Sequence, residues 1–393
     1  MKYKKIQYRT VFFFILFLLY FNITAAAEQI YNTKWGYALD LPEGFILMNS
    51  AESERFAFQH TMIPLNLQIA LYPRKQFSGI EETARHIFNQ FSAEKKALRF
   101  SYLDNTAILA FLQFKIENQE QAGWLLTLEL ANQKGWMVVC TYADANIMKK
   151  HELLMLSILD SVSTTSQAYA EPGPVTQAVY PKTALLRTET KFNGKTVVFN
   201  FDSIDSEANQ SVIDREFSVL SLYIDTPFLQ AAWQRYYRII YRDSWSRCHT
   251  VSQAIEKELT LATEGAVPPP EHIAVSVLQW LQSFTYTRDR TGADFVNLPA
   301  ICTKQTGDCD SRALLLAVIL QQLNIDTILL ISPQHQHALA AVDCSGEGAR
   351  FVHKGKGYLI AETTAQVPLG RIAQEQADPA AWFAVDWYSP RWN

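Results

Sequence analysis

Gly307-Asp308-Cys309-Asp310-Ser311-Arg312 runs directly into Ala313-Leu314-Leu315-Leu316-Ala317-Val318-Ile319-Leu320. The glycine permits a tight turn. Asp308 is placed to cap a helix N-terminus, because a short side chain that accepts hydrogen bonds satisfies the first free backbone N–H groups. Cys309 then falls in the first turn of a helix that is apolar almost all round, the pattern of a centrally buried helix. A thiol at the positive end of a helix dipole loses its proton more readily, so a lowered thiol pKa is expected. A buried helix that offers one cysteine at its start suits a nucleophile.

Strand signals follow. Residues 327–332 read as a strand, Pro333-Gln334-His335-Gln336 as a turn and His337-Ala338-Leu339-Ala340-Ala341-Val342 as a second strand. Gly346 and Gly348 mark another turn, and 350–353 with 358–363 form a hairpin around Gly355-Lys356-Gly357. Tyr358, Ile360 and Glu362 alternate onto one face. A helix bearing Cys, packed on strands bearing His and then an acid, supplies a nucleophile, its base and the group that orients the base. Alternatives stand beside each member. His335 lies two residues before His337 and is a second candidate base. Asp343 is the competing acid. Cys309 could instead pair with Cys302 or Cys344 as a disulfide. The backbone N–H of Cys309 supplies one oxyanion donor, with Gln305 and Asn297 as candidates for the second.

Over about residues 270–365 the chain resembles the transglutaminase-like superfamily of papain-like cysteine enzymes. The resemblance rests on Gly307-Asp308-Cys309-Asp310 opening an apolar helix, on His337-Ala338 opening a strand and on Glu362-Thr363-Thr364 ending the next one. It implies a catalytic triad of Cys309, His337 and Glu362, and a protease or amidase acting on a protein or peptide substrate. The family usually carries Asp in the third position and an aromatic after the His-Ala pair; this chain has Glu362 and Leu339. A second class of function therefore stays open, an inert domain of this type in a cell-envelope binding or scaffolding protein.

Upstream, residues 271–284 read as a helix, as do 228–241 and 250–263. Strands 184–192 and 195–201 flank Asn193-Gly194, a strong hairpin signal. Before them, Ser161 to Ser166 is rich in Ser and Thr and is followed by Ala170-Glu171-Pro172-Gly173-Pro174, a linker composition. The expected organisation is a signal peptide over 1–27, an α+β domain over 28–165, a linker over 166–180 and the Cys-bearing domain over 181–393. In the first domain, strands are expected at 37–41, 65–72, 108–116, 124–130 and 136–142, and helices at 81–98 and 147–159. An antiparallel sheet covered by helices is the economical arrangement. The opening Gly36-Tyr37-Ala38-Leu39-Asp40-Leu41-Pro42-Glu43-Gly44-Phe45 resembles domains of the PsbP/Mog1 type, which mostly bind partners.

Residues 11–21 are an unbroken apolar run after Lys2, Lys4, Lys5 and Arg9, and Ala25-Ala26-Ala27 follows as a cleavage site. That pattern implies export to the periplasm or the exterior. The run is shorter than the roughly 20 residues that span a bilayer, so no stable span is expected after cleavage; an N-terminal anchor is the alternative. Composition narrows the rest. With 35 Lys+Arg against 39 Asp+Glu, the formal charge of −4 argues against nucleic acid as a partner. The 48% hydrophobic fraction is globular, which excludes a disordered chain. Five cysteines leave at least one unpaired within the chain, and no CxxC spacing or ligand triplet marks a metal site. No cofactor is expected.

Overall fold

A computed structural model describes residues 29–51, 54–288 and 293–387. The expected signal peptide, with its cleavage point at Ala27, lies outside the described residues. Among the described residues no helix is long and apolar enough to cross a membrane.

The chain is α+β. Its first half is built on β1 (Gln29–Asn32), β2 (Tyr37–Asp40), β3 (Phe45–Ala51), β4 (Arg55–His60), β5 (Asn66–Pro73), α1 (Ile80–Phe91), β6 (Glu94–Tyr102), β7 (Asn105–Ile116), β8 (Gln119–Glu129), β9 (Gly135–Asp144) and α2 (Glu152–Asp160). β1 and β2 pair as a ribbon. The remaining strands form a seven-stranded antiparallel sheet in the order β3-β4-β5-β9-β8-β7-β6. Both faces are covered, so the central strands are nearly continuously apolar. Ile108, Ala110, Leu112 and Phe114 of β7 join the cluster that holds Ile80, Ala84, Ile87 and Phe88 of α1. Ala107 and Leu109 point the other way, into the cluster with Leu154, Met155, Ile158 and Leu159 of α2.

The expected helix over 81–98 ends earlier. Ser92 adopts φ 47° in the left-handed region and closes α1, and the chain returns as β6. Glu94, Lys95 and Lys96 are exposed on this outermost strand, where charge protects a free edge from unwanted pairing.

The second half contains α3 (Ser166–Tyr169), α4 (Pro174–Val179), β10 (Leu185–Phe192), β11 (Lys195–Asp202), α5 (Asp205–Ser221), α6 (Leu229–Arg247), α7 (His249–Ala262), α8 (Pro270–Gln282), β12 (Thr285–Tyr286), α9 (Leu298–Lys304), β13 (Thr306–Gly307) and α10 (Cys309–Gln322). It closes with β14 (Thr327–Ser332), β15 (His337–Val342), β16 (Arg350–His353), β17 (Lys356–Ala361) and β18 (Phe383–Val385). Asn193 and Gly194, at φ 48° and 82°, turn the β10–β11 hairpin. Both values suit the two-residue turn whose twist matches the strands it joins.

α10 is the axis of this half. Every side chain from Ala313 to Leu320 is 0% exposed. The helix lies on an antiparallel five-stranded sheet ordered β16-β17-β15-β14-β18. Leu329, Ile331, Ala338, Ala340, Val342 and Ala361 face the core that holds the helix. Ile328, Leu330, Leu339, Ala341, Tyr358 and Ile360 form a separate cluster with Trp382 on the far side. The methyl groups of Ala338 and Ala340 allow the helix to sit close to β15.

The stretch read as a linker, 166–180, is packed rather than free. It forms α3 and α4, with Ala168, Val175, Thr176 and Ala178 buried. One apolar cluster runs from Trp35 to Val385 without a break at that point. Buried charges hold the two halves together. Arg215 Nη2 reaches Asp160 Oδ2 at 2.7 Å, Arg235 Nε donates to the Asp40 carbonyl at 3.1 Å, and Arg238 grips the Asp40 carboxylate with two bonds of 2.9 and 3.0 Å. Composition alone shows a Ser/Thr/Pro segment; its burial comes from elements far away in sequence.

Glu43 lies in the same interface, 1% exposed, with no hydrogen-bond partner on either carboxylate oxygen. Burial pushes its pKa from 4.5 up to about 7, against the pull of Arg235. The folded protein therefore holds a proton that the unfolded chain has released. Stability contributed by this group is present below about pH 4.5 and is lost as pH rises through about 7. Nearby, burial lowers His60 to about 4, which acts in the opposite direction. Comparing Glu43→Gln with wild type cancels the histidine. The variant's advantage in unfolding free energy should grow by about 1.4 kcal/mol per pH unit across that window. Urea titrations at a series of pH values measure it, and a pH-independent difference would show that Glu43 ionises normally.

Candidate active site

The start of α10 is fixed by local chemistry. Asp308 Oδ1 accepts the Ser311 backbone N–H at 2.9 Å, and Ser311 Oγ accepts the Asp308 N–H at 3.2 Å, a reciprocal cap that makes Cys309 the first helical residue. Gly307 is required by close packing: a Cβ there would stand 2.5 Å from Ile301 Cδ1. The Cys309 thiol is 3% exposed. Its sulfur lies 3.5 Å from Asp310 Oδ2, and the backbone N–H of Ala338, second residue of β15, favours the thiolate.

The expected lowering of the thiol pKa is not what these surroundings produce. Burial, then the charges of Asp310 and Asp308, push Cys309 well above its ordinary value. The helix dipole is a partial charge, whereas burial penalises the thiolate outright and the neighbouring acidic groups add to that penalty as they ionise. Asp308 is itself raised to about 8 by burial and by Asp310, and its Oδ2 has no partner.

His337 opens β15, and its Nε2 lies 2.8 Å from Glu362 Oε2. Glu362 follows the last residue of β17. Its other oxygen accepts both the Thr364 backbone N–H, at 2.7 Å, and the Thr364 hydroxyl, at 2.6 Å. Burial raises the Glu362 pKa, but the bonds from His337 and Thr364 outweigh it and leave the carboxyl below its usual range. Its backbone carbonyl accepts from Gln282 Nε2 at 2.8 Å. With Nε2 committed to Glu362, the lone pair of Nδ1 is the one left for a proton. Trp382 stands against the imidazole, with ring centroids 6.2 Å apart.

The alternatives fall in other places. Asp343 follows the opposite end of β15, about 20 Å along the strand from His337. There it pairs with Lys356 at 2.6 Å. His335 sits in the turn before β15, its Nε2 buried without a partner and its ring 5.7 Å from Trp382. Asn297 caps α9 and donates to Gln210, while Gln305 donates to the Lys191 carbonyl, so both candidate oxyanion side chains are engaged elsewhere. All five cysteines are free, Cys309 with them. Among the described residues no group of His, Cys, Asp and Glu side chains could hold a metal ion.

Comparison with known proteins is sparse. No family model matches the chain, and no curated protein matches it. Among solved structures, the cyanobacterial PsbP of Synechocystis sp. PCC 6803 is 10% identical, with a TM-score of 0.28, over 38% of this chain and 98% of that one. The Saccharomyces cerevisiae Ran-binding protein Mog1p is 9% identical, TM-score 0.28, over 36% and 96%. Both likenesses are to the N-terminal part. A protein from Parabacteroides distasonis ATCC 8503, provisionally named a protease, is 9% identical, TM-score 0.22, over 80% of this chain and 64% of that one. Likenesses this remote carry neither a family nor an activity to the chain.

Two residues around the site were not singled out from sequence. Tyr237 of α6 donates its hydroxyl to Asp310 Oδ1 at 2.5 Å. Arg312, 1% exposed, donates to the carbonyls of Gly307 at 3.1 Å, Phe284 at 2.9 Å and Thr363 at 3.3 Å. It therefore ties the loop before Cys309 to the residue after Glu362. A lone charge at the start of an apolar helix was the available signal for Arg312. Tyr237 had none, since its partner is remote in sequence.

Proposed function

We propose that the chain is a cysteine-dependent acyl-transfer enzyme that hydrolyses a peptide or carboxamide bond. The observation that carries this reading is the His337–Glu362 hydrogen bond of 2.8 Å at the end of the strand whose next residue, Ala338, directs its N–H at the Cys309 sulfur. In the reaction, His337 Nδ1 takes the thiol proton as Sγ attacks the substrate carbonyl carbon. The backbone N–H of Cys309 faces the developing oxyanion. The imidazolium then protonates the leaving amine as the C–N bond breaks, leaving a thioester. Water, deprotonated by His337, attacks that thioester and releases the acid and the thiol. Glu362 holds the imidazole tautomer throughout, in the role that the transglutaminase-like resemblance gives it.

Labelling with a thiol-directed activity probe built on a peptide or amide, which engages the site as a substrate does, tests the assignment. Wild type should be modified at Cys309 and should turn over a peptide or amide substrate; Cys309→Ala should do neither. Glu362→Gln should lower kcat by on the order of 10–1,000-fold, less than Cys309→Ala does, because the oxyanion donor and the nucleophile remain. Asp343→Asn should be nearly neutral. A second reading, an inert scaffold, is favoured by the depth of the thiol and the two carboxylates beside it. It predicts a Cys309 that no probe labels selectively and no loss of partner binding in Cys309→Ala.

A further inference from the structure

The carboxylates on either side of Cys309 do different work. Asp308 caps the helix through Oδ1. Asp310 is turned to α6, where Tyr237 Oη donates to its Oδ1 at 2.5 Å, and its Oδ2 faces the Cys309 sulfur at 3.5 Å. One carboxylate thus accepts from a phenol and from the thiol, with Tyr237 1% and the thiol 3% exposed. A thiol that donates to Asp310 has its proton directed away from His337. Building on the acyl-transfer reading, we infer that Asp310, held in place by Tyr237, is a brake on the nucleophile: it keeps the Cys309 thiol protonated in the unliganded protein, so that the resting enzyme is thiol–imidazole and not thiolate–imidazolium.

Every charged or titratable group around the pair enters this balance. Asp308 and Asp310 on α10 oppose the thiolate. Tyr236 and Tyr237 of α6 are buried beside Asp310 and held neutral, far above the ordinary tyrosine range. Asp294 adds negative charge near both aspartates. Tyr286 is raised to about 12 by burial and by the thiol's own charge. On the other side stand Arg288 and Arg312, both close enough to Cys309 to interact with it, and His337, which eases ionisation of Asp310. Burial works with the carboxylates, and together they outweigh the cations. Tyr237 is a positioning residue. Its hydroxyl stabilises the Asp310 carboxylate and points the other oxygen at sulfur.

The reach of the inference is kinetic. A low thiolate fraction slows every reaction of the free sulfur, alkylation and oxidation included, because the thiolate is the nucleophile. A substrate that moves the thiol from Asp310 towards His337 on binding releases the brake. The resting protein is then sluggish towards small electrophiles while remaining competent towards its own substrate.

The test is the pH dependence of Cys309 alkylation by iodoacetamide, in which the thiolate displaces iodide, followed by peptide mass mapping. In wild type the rate should still be climbing above pH 9, with no plateau near neutrality. In Asp310→Asn the amide can still accept from Tyr237 and can donate to sulfur, so the rate at pH 7 should rise roughly tenfold and the profile should shift to lower pH. Asp310→Ser, smaller and also uncharged, should move the same way. The Asp310→Asn/His337→Ala double variant separates this inference from the function it rests on. If the double variant loses the gain, both stand. If it keeps the gain, the brake stands and His337 is not the base. If neither Asp310 variant alkylates faster than wild type, or if wild type plateaus near neutrality, the brake is overturned, and the response of turnover to His337→Ala still judges the acyl-transfer reading by itself.

Discussion

In a His337→Ala variant, kcat/KM for a peptide or amide substrate should fall by on the order of 10³-fold or more, while His335→Ala should stay within about threefold of wild type. The two histidines are two residues apart and both lie against Trp382. What separates them is the second nitrogen. His337 has a carboxylate at 2.8 Å that sets its tautomer, and that carboxylate is held in turn by two bonds from Thr364. His335 has a buried Nε2 with no partner, so nothing orients it as a base. Under the proposed mechanism, losing His337 removes the proton acceptor in the first step and the donor to the leaving amine in the same cycle. Steady-state kinetics on both variants decide the matter: a crippled His335→Ala beside a working His337→Ala would move the base to the turn.

The local parts of the fold were legible in the sequence. Asp308 before an apolar run marks the start of α10, Asn193-Gly194 marks a hairpin, and the alternation of Tyr358, Ile360 and Glu362 puts the acid on the histidine's side of the sheet. Each of these depends on neighbours within a few residues. Helix α5 was missed because its buried positions include Asn209, Arg215 and Glu216, which break the apolar periodicity that reveals a helix. Strand β18, with three residues, is too short to carry a period. The ionisation of Cys309 was misjudged for a related reason. The sequence places the thiol at a helix N-terminus but does not say how deeply the terminus is buried, and depth decides whether adjacent carboxylates or the dipole prevails. The packing of residues 166–180 and the ionic links around it are likewise hidden in the sequence, because Asp40, Asp160, Arg235 and Arg238 resemble surface residues until their partners are known.

Glu216→Ala should be the most destabilising single change of a charged residue in the chain. Glu216 is 1% exposed and accepts from Arg215 Nε at 2.8 Å, Arg235 Nη1 at 2.9 Å and Ser157 Oγ at 2.9 Å. Its removal leaves two buried guanidinium groups short of a counter-charge, where breaking a buried pair costs about 3–5 kcal/mol. The exposed pair Lys115–Glu120, at 2.8 Å, is the control, and Lys115→Ala should cost less than about 1 kcal/mol. Urea unfolding at pH 7 should show a much lower midpoint for Glu216→Ala and a single transition in both. A midpoint within error of wild type would mean that water reaches the network and solvates the arginines.

Ala338 and Ala340 gain a wider meaning from their position between β15 and α10. The backbone of β15 carries His337, and the backbone of α10 carries Cys309, so under the proposed mechanism the gap between imidazole and thiol is set by how near two main chains can come. Along β15 that spacing is governed by methyl groups buried against the helix. A larger residue at either position would act as a shim under the helix, lifting the sulfur from the strand while leaving every reacting atom chemically intact. Sequence drift that moves Cys309 relative to His337 need not touch either residue; it can enter through the thickness of the layer between helix and strand.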